Sequence, residues 1–305
     1  MLKTLQITGD SPYGGAGYLL LRWCKYLLEK DWEVHVQATN PFWVSELKKV
    51  SGVRVIDDVY IPRPISPLRD LSALIQLIKL IWQEHYDVIQ TYTATPGFVG
   101  RIAARLAGAP VILNHQAGWT VNEFSPAWKR LAYTPLEYLA TAVSTKDICV
   151  SYAVEQQGRA LGIAPVGKLV VICNGIDPKP FICATENGAR ERMRQDLGIP
   201  DNHLLIGNTG RLSPQKDNAS LIEGIGLLRS MIPEIPFTLM LAGDGPDSTA
   251  LETMISQCNL GDRVRLMGFV REIPEFLAAL DIFVSPSLWE GLSISILESM
   301  AAAKP

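Results

Sequence analysis

Residues 174–180 read Asn174-Gly175-Ile176-Asp177-Pro178-Lys179-Pro180. An Asn-Gly step followed closely by two prolines marks a break between structured segments. The same pattern runs on both sides of it. Short apolar runs rich in Val and Ile alternate with longer stretches whose apolar residues recur at steps of three and four. Before the break, strands are expected at 2–8, 33–38, 53–56, 88–92, 110–114, 147–151 and 169–173. Helices are expected at 18–30, 68–84, 97–106, 127–143 and 154–161, with Pro135 breaking or kinking the fourth. After it come a charged helix at 189–197, strands at 204–208, 237–242, 264–267 and 282–285, and helices at 214–231, 248–257, 273–279 and 295–303. Strands alternating with helices make parallel sheets with helical crossovers. Two such runs about a Pro-rich joint predict an α/β chain of two doubly wound domains, residues 1–180 and 181–305.

The bulk properties agree. A chain of 305 residues is long enough for two domains. With 48% hydrophobic and 19% charged residues it is a globular chain rather than a disordered one. A net charge of −3 argues against a general nucleic-acid binder. The charge is uneven, +3 over residues 1–180 and −6 over 181–305, as two domains with different partners would have. Five cysteines without a Cys-x-x-Cys pair suggest neither a disulfide framework nor a zinc site. They point to a reducing, cytoplasmic setting. The most apolar stretch, 71–82, contains Gln76 and Lys79 and is too short to span a bilayer. Peripheral contact with a membrane remains compatible with this reading. Lys129 and Arg130 beside Trp128 on an expected helix are the residues for it.

In open parallel sheets ligands bind beyond the carboxyl ends of the strands, so the loops there carry the search for function. The first holds Gly14-Gly15-Ala16-Gly17 ahead of a helix, where bare backbone and helix N–H groups can approach an anion. As a dinucleotide fingerprint it is incomplete, because the third glycine position is Leu20 and no acid ends the second strand. His115, just past an expected strand end, suits a general base or a donor to a sugar or phosphate oxygen.

Gly210-Arg211-Leu212-Ser213-Pro214-Gln215-Lys216 is more informative. Ser213 reads as an N-cap and Pro214 as the first helical residue, which puts Lys216 in the first turn and Arg211 just before it. Cations there oppose the helix dipole unless an anion is bound, and a forked Arg with a compact Lys suits a diphosphate. The last loop carries Glu290 before Gly291, and Glu298 eight residues on. Ser295-x-x-Glu298 reads as a capping box, which gives Glu298 a structural role as an alternative. Glu290 has no such reading and is placed to accept bonds from sugar hydroxyls.

Assembled in order, these loops resemble glycosyltransferase family four, the retaining nucleotide-sugar glycosyltransferases with the GT-B fold of two Rossmann-like domains facing a cleft. The residues that carry the resemblance are Gly210-Arg211-Leu212 with Lys216, Glu290 to Glu298 followed by Met300-Ala301, Lys304-Pro305, Val150-Ser151 and Asn174-Gly175-Ile176-Asp177. The resemblance implies that Arg211 and Lys216 neutralise the donor diphosphate and that Glu290 contacts the donor sugar. It further implies Gly291 and Leu292 at the phosphates and Glu298 at the ribose hydroxyls. Gly15 would approach the phosphates from the first domain, His115 would lie near sugar and acceptor, and Phe269-Val270 would border the base. The first domain would be the acceptor side and the second the nucleotide-sugar side.

The function so implied is transfer of a hexose, with retention, from a nucleotide-diphosphate sugar to a saccharide or lipid-linked saccharide in bacterial surface polysaccharide synthesis. UDP is implied ahead of GDP or ADP. No metal is expected, since no Asp-x-Asp occurs and Arg, Lys and a helix N-terminus can meet the leaving charge. The family continues past the position of Pro305 into further strands, a second glycine-rich loop and a final helix. The expectation is therefore of a truncated second domain, and a non-catalytic fragment is the first alternative. An NAD-dependent Rossmann enzyme is the second, disfavoured by the incomplete fingerprint.

Overall fold

The computed structural model describes all residues except 12–13, 63–64 and 123–124, and the side chain of Ala16. The chain folds as two compact units, Met1–Asn174 and Gly175–Pro305. The division falls at Asn174/Gly175, ahead of the prolines rather than after them. Pro178 and Pro180 do not prolong a linker. They flank Lys179 at the start of a helix that the sequence reading lacks, because proline suits a first turn, whose N–H groups have no intrahelical acceptor.

In the first unit β1 (Lys3–Gly9), α1 (Gly15–Glu29), β2 (Glu33–Ala38), α2 (Pro41–Lys48) and β3 (Val53–Ile56) are followed by α3 (Pro67–Glu84) and β4 (Val88–Tyr92). Then come α4 (Ala94–Leu106), β5 (Val111–Gln116), α5 (Ala127–Val143), β6 (Lys146–Cys149), α6 (Tyr152–Ala160) and β7 (Leu169–Val171). Helix α2 is also absent from the sequence reading. Its signal is Asn40-Pro41: the Asn40 side chain accepts from Trp43 N at 3.3 Å, with proline in the first turn. The strands pair in parallel in the order β3-β2-β1-β4-β5-β6-β7. The reversal of direction between β1 and β4 is the topological switch point of a doubly wound sheet. Ala73, Leu77 and Ile81, one helical face of α3, are buried together with Leu5, Ile7 and Ile89 of the central strands.

The second unit contains α7 (Lys179–Glu186), α8 (Ala189–Leu197), β8 (Leu204–Thr209), a 3-10 turn (Pro214–Lys216) and α9 (Asn218–Met231). It continues with β9 (Phe237–Ala242), α10 (Ser248–Gln257), β10 (Val264–Gly268), α11 (Ile273–Ala279), β11 (Ile282–Phe283) and α12 (Ile294–Ala301). Its parallel sheet runs β10-β9-β8-β11. All six residues of β9 are buried, as expected of a strand covered on both faces. Phe283 N donates to Pro305 O at 2.9 Å, while Val284 N donates to Gly207 O in β8 at 2.9 Å.

Candidate functional site

The loops at the carboxyl edge of the second sheet are laced together by main-chain bonds. Gly210 N donates to Ala242 O at 3.0 Å, Leu212 N to Asp244 O at 3.0 Å and Gly243 N to Gly268 O at 2.8 Å. Glycine makes this approach possible. A Cβ on Gly243 would lie 1.8 Å from Gly210 O, and one on Gly245 would lie 2.0 Å from Leu212 O.

Lys216 does not lie in the first turn of an α-helix, as the sequence suggests. It ends the 3-10 turn, Asp217 follows in the left-handed region at φ 48°, and only then does α9 begin. Ser213 makes no side-chain cap. The dipole argument for Lys216 therefore fails, and another contact fixes it. Its Nζ lies 2.5 Å from Glu290 Oε1. Two bonds brace that pairing: Leu288 N to Gln215 O at 2.9 Å and Gln215 Nε2 to Trp289 O at 2.8 Å. Arg211, Gly291 and Leu292 are half-buried in the same two loops.

The capping box is also corrected. Helix α12 starts at Ile294, so Ser295 is its second residue and Glu298 its fifth, one turn in. Ser295 Oγ pairs instead with Ser293 Oγ at 2.8 Å. Glu298 thus loses its capping role, and burial pushes its carboxyl up to about 7. Phe269 is exposed under the Arg271 guanidinium, 5.8 Å from the ring centroid, whereas Val270 packs on the cluster of Leu205, Met240 and Phe276. Two buried groups that the sequence did not single out stand beside these loops, Thr209 Oγ1 at the end of β8 and the Asn218 amide at the start of α9. Neither has a hydrogen-bond partner among the described residues.

Gly15 and His115 belong to the first unit. Gly15 is the exposed first residue of α1 at the carboxyl edge of β1. His115 is a strand residue of β5, in register with Tyr92 of β4, not a loop residue as the sequence suggests. Its ring lies 5.4 Å from that of Tyr92, and its Nε2 is 3.3 Å from Asn174 Oδ1. Burial holds its pKa below the usual value, so the imidazole is neutral near pH 7.

Beside it is a cavity of about 130 Å³ lined by Tyr92, Thr93, Arg101, Gln116, Thr120 and Glu137. Arg101 is buried there between two carboxylates, 2.8 Å from Asp147 Oδ2 and 3.5 Å from Glu137 Oε2. Thr120 donates to the second oxygen of Glu137. At the switch point Thr93 is held at φ 63°, ψ 177°, a region most side chains avoid, with its hydroxyl 3.2 Å from that of Ser11. Neither Glu137 nor Thr93 belongs to a recognisable motif. Only the fold brings them to His115.

Among the described residues one trio, Glu33, His35 and Glu84, clusters its ligand atoms within 4.8 Å. It lies where β1 and β2 begin, away from the edge just described. The Lys3 ammonium binds both carboxylates, at 3.1 and 2.5 Å. No described helix is long and apolar enough to cross a membrane.

Residues 13–179 match the family described as Glycosyltransferase Family 4, and residues 189–305 match Glycosyl transferases group 1. The chain is 34% identical over 247 residues to the UDP-Gal:alpha-D-GlcNAc-diphosphoundecaprenol alpha-1,3-galactosyltransferase of Escherichia coli, over 80% of this chain and 62% of that one. It is 26% identical over 292 residues to the putative glycosyltransferase EpsD of Bacillus subtilis, over 93% of this chain and 73% of the relative. The chain thus spans less than two thirds of the first relative's length and about three quarters of the second's. The crystal structure of Anabaena HepE in complex with UDP and glucose superposes with a TM-score of 0.80 at 23% identity, over 100% of this chain and 80% of that one. At that identity the likeness carries the fold, the two Rossmann-like units of GT-B glycosyltransferases. With more than half of its length inside the first family match, the chain belongs to glycosyltransferase family 4.

Proposed function

We propose that the chain is a retaining hexosyltransferase. It takes its sugar from a nucleotide-diphosphate donor, UDP first among the bases, and passes it to a saccharide or lipid-linked saccharide in surface polysaccharide assembly. The observation that carries this reading is the Lys216–Glu290 contact at the carboxyl edge of the second sheet. An ammonium and a carboxylate held side by side match the two ends of such a donor. The ammonium meets the diphosphate and the carboxylate accepts from sugar hydroxyls. The first unit is then the acceptor side and the second the donor side. The names of the relatives support the same choice: one uses UDP-galactose and a diphosphoundecaprenol acceptor, and another is an alpha-monoglucosyldiacylglycerol synthase.

In the reaction the acceptor oxygen bonds to the anomeric carbon as the bond to the β-phosphate oxygen breaks. The acceptor proton passes to the leaving diphosphate on the same face, so configuration is kept. Lys216, Arg211 and the N-terminus of α12 with Gly291 and Leu292 meet the charge that develops on that diphosphate. This requires no metal. Glu298, one turn inside α12, takes the ribose hydroxyls, and Phe269-Val270 borders the base. Within the first unit, Gly15 at the start of α1 offers N–H groups to an anion, and neutral His115 acts by hydrogen bonding to the acceptor.

The test is UDP release from UDP-glucose and UDP-galactose with a lipid-linked saccharide and excess EDTA. Release matched by acceptor consumption supports the reading. Activity that appears only with Mn²⁺ contradicts the metal-free scheme.

A further inference from the structure

Eight buried side-chain atoms have no hydrogen-bond partner among the described residues. Four of them are spare atoms of side chains that bond through another atom. Asp70 accepts from Ser66 N, Asp147 pairs with Arg101, Arg194 pairs with Asp281, and Arg263 donates to Phe237 O. A fifth is the hydroxyl of Thr39, in the first unit. The other three bracket a single loop of the second unit. Thr209 ends β8 and Asn218 begins α9, and they are 4 and 3% exposed. The residues between them, 210–217, carry Arg211 and Lys216. In Asn218 both the donor and the acceptor of the amide are unpaired, and no other described amide is buried in this way.

Burying a polar group without a partner is costly, so an apolar side chain of like outline would serve the fold better. Valine has the outline of threonine, and leucine that of asparagine. A local rule broken at both ends of one loop points to what the loop does rather than to how the unit folds.

The loop is fixed at one end and jointed at the other. Gly210 N and Leu212 N are tied to Ala242 O and Asp244 O, and the Leu212 side chain is buried. Beyond Leu212 the chain makes the 3-10 turn Pro214–Lys216, and Asp217 passes through the left-handed region before α9 starts. A turn joined to a helix through such a residue can shift without unwinding the helix. Its basic end is engaged by Glu290, with Lys216 Nζ 2.5 Å from Oε1. A diphosphate that takes up this ammonium changes what the turn is tied to.

We propose that Thr209 and Asn218 are positioning residues for the donor. Their hydroxyl and amide hydrogen-bond the turn in the arrangement it takes when Arg211 and Lys216 hold a diphosphate. A hydroxyl and an amide suit this task, because each can donate or accept and so can meet either an N–H or a carbonyl of the shifted turn. Donor affinity is thereby coupled to two groups that never touch the donor. This role rests on the donor reading above and adds to it the residues that decide how firmly the two cations are held.

The experiment reads melting temperature and UDP affinity on the full chain, by scanning calorimetry without nucleotide and by titration calorimetry in EDTA. Thr209→Val and Asn218→Leu should each raise the melting temperature of the second unit by about 2–4 °C. Each should weaken UDP binding about 3–10-fold. Thr209→Ser, which keeps the hydroxyl, should recover most of the affinity lost in Thr209→Val. Opposite signs in the two readings are the signature of the positioning role. Residues that only support the fold would give a lower melting temperature and weaker UDP binding together. Two groups bridged by a buried water would do the same, because each substitution strands that water. Either pattern would overturn the proposal, and so would a higher melting temperature with UDP affinity unchanged in both variants. If Asn218→Leu overfills its position and unfolds the chain, Thr209→Val decides alone. A parent that binds no UDP contradicts the donor reading and the positioning role with it. A parent that binds UDP while the variants fail the sign test contradicts the positioning role only.

Discussion

Lys216 Nζ rests 2.5 Å from Glu290 Oε1, although the two residues belong to loops after different strands, β8 and β11. The pair is partly shielded, with side chains 16 and 24% exposed. Lacing between the loops holds it in place, so the geometry does not depend on the two side chains alone. That allows their roles to be separated by substitution.

Glu290→Gln keeps the shape of the side chain and removes its charge. Lys216 then loses its carboxylate partner and meets a diphosphate without competition. UDP affinity should hold or rise, while donor turnover in the transfer assay falls by about a hundredfold, the scale of losing one transition-state contact. Parallel loss of UDP binding and turnover would place Glu290 in the nucleotide pocket instead.

Gly243→Ala tests the lacing. The new Cβ would sit inside the van der Waals shell of Gly210 O, a backbone atom that cannot swing away. The loops after β8 and β9 must then part. A loss of about 2–4 kcal/mol is expected in denaturant unfolding of the second unit, with UDP affinity lost in step. Gly224, whose Cβ would meet nothing within 4 Å, is the control position.

Glu298 gives a pH signature. Its carboxyl titrates near 7 in the fold because burial disfavours the charge, against about 4.5 when unfolded. Between those values the folded state holds a proton that the unfolded state has lost, so stability falls as pH rises from about 4.5 to about 7. Glu298→Gln should flatten that slope and raise the Tm above pH 7, by an amount corresponding to at most about 3 kcal/mol. A variant whose melting curve still falls across that window would assign the titration to another group.

His115 has the opposite slope. Burial lowers its pKa, so below about 6.5 the unfolded state gains a proton that the fold refuses. Stability is lost as pH falls from there toward the depressed value. His115→Gln should remove that loss. With a neutral imidazole acting by hydrogen bonding, the same change should lower transfer about 10–100-fold and leave UDP affinity unchanged. A tighter UDP dependence on pH in the parent than in the variant would mean that the ring carries charge in the site.

The strand and helix sequence was legible because both units are built on buried parallel strands. Such strands read as near-continuous apolar runs, as in 237–242, where Thr238 is the one polar residue, and need little long-range information. Helices α2 and α7 were missed because each has a proline in its first turn, and proline reads as a breaker unless that place is known. The residue types of the site were legible, but their supports were not. Ser213-Pro214 and Ser295-x-x-Glu298 are sound local patterns. Each was overridden, the first by a 3-10 turn ending at Lys216 and the second by a helix that starts at Ile294. The Lys216–Glu290 contact, the Arg101–Glu137 pair beside His115 and the strained Thr93 depend on which strands become neighbours, and no local spacing encodes that.

Calorimetric titration of the chain with UDP in excess EDTA, run beside Lys216→Ala, tests the central claim most directly. The account predicts one site per chain that persists without divalent metal. It also predicts a loss of about 1–3 kcal/mol of binding when the ammonium is removed, the scale of a hydrogen bond to a charged group. Equal affinity in the two proteins, or binding that appears only when Mg²⁺ or Mn²⁺ is restored, would contradict it.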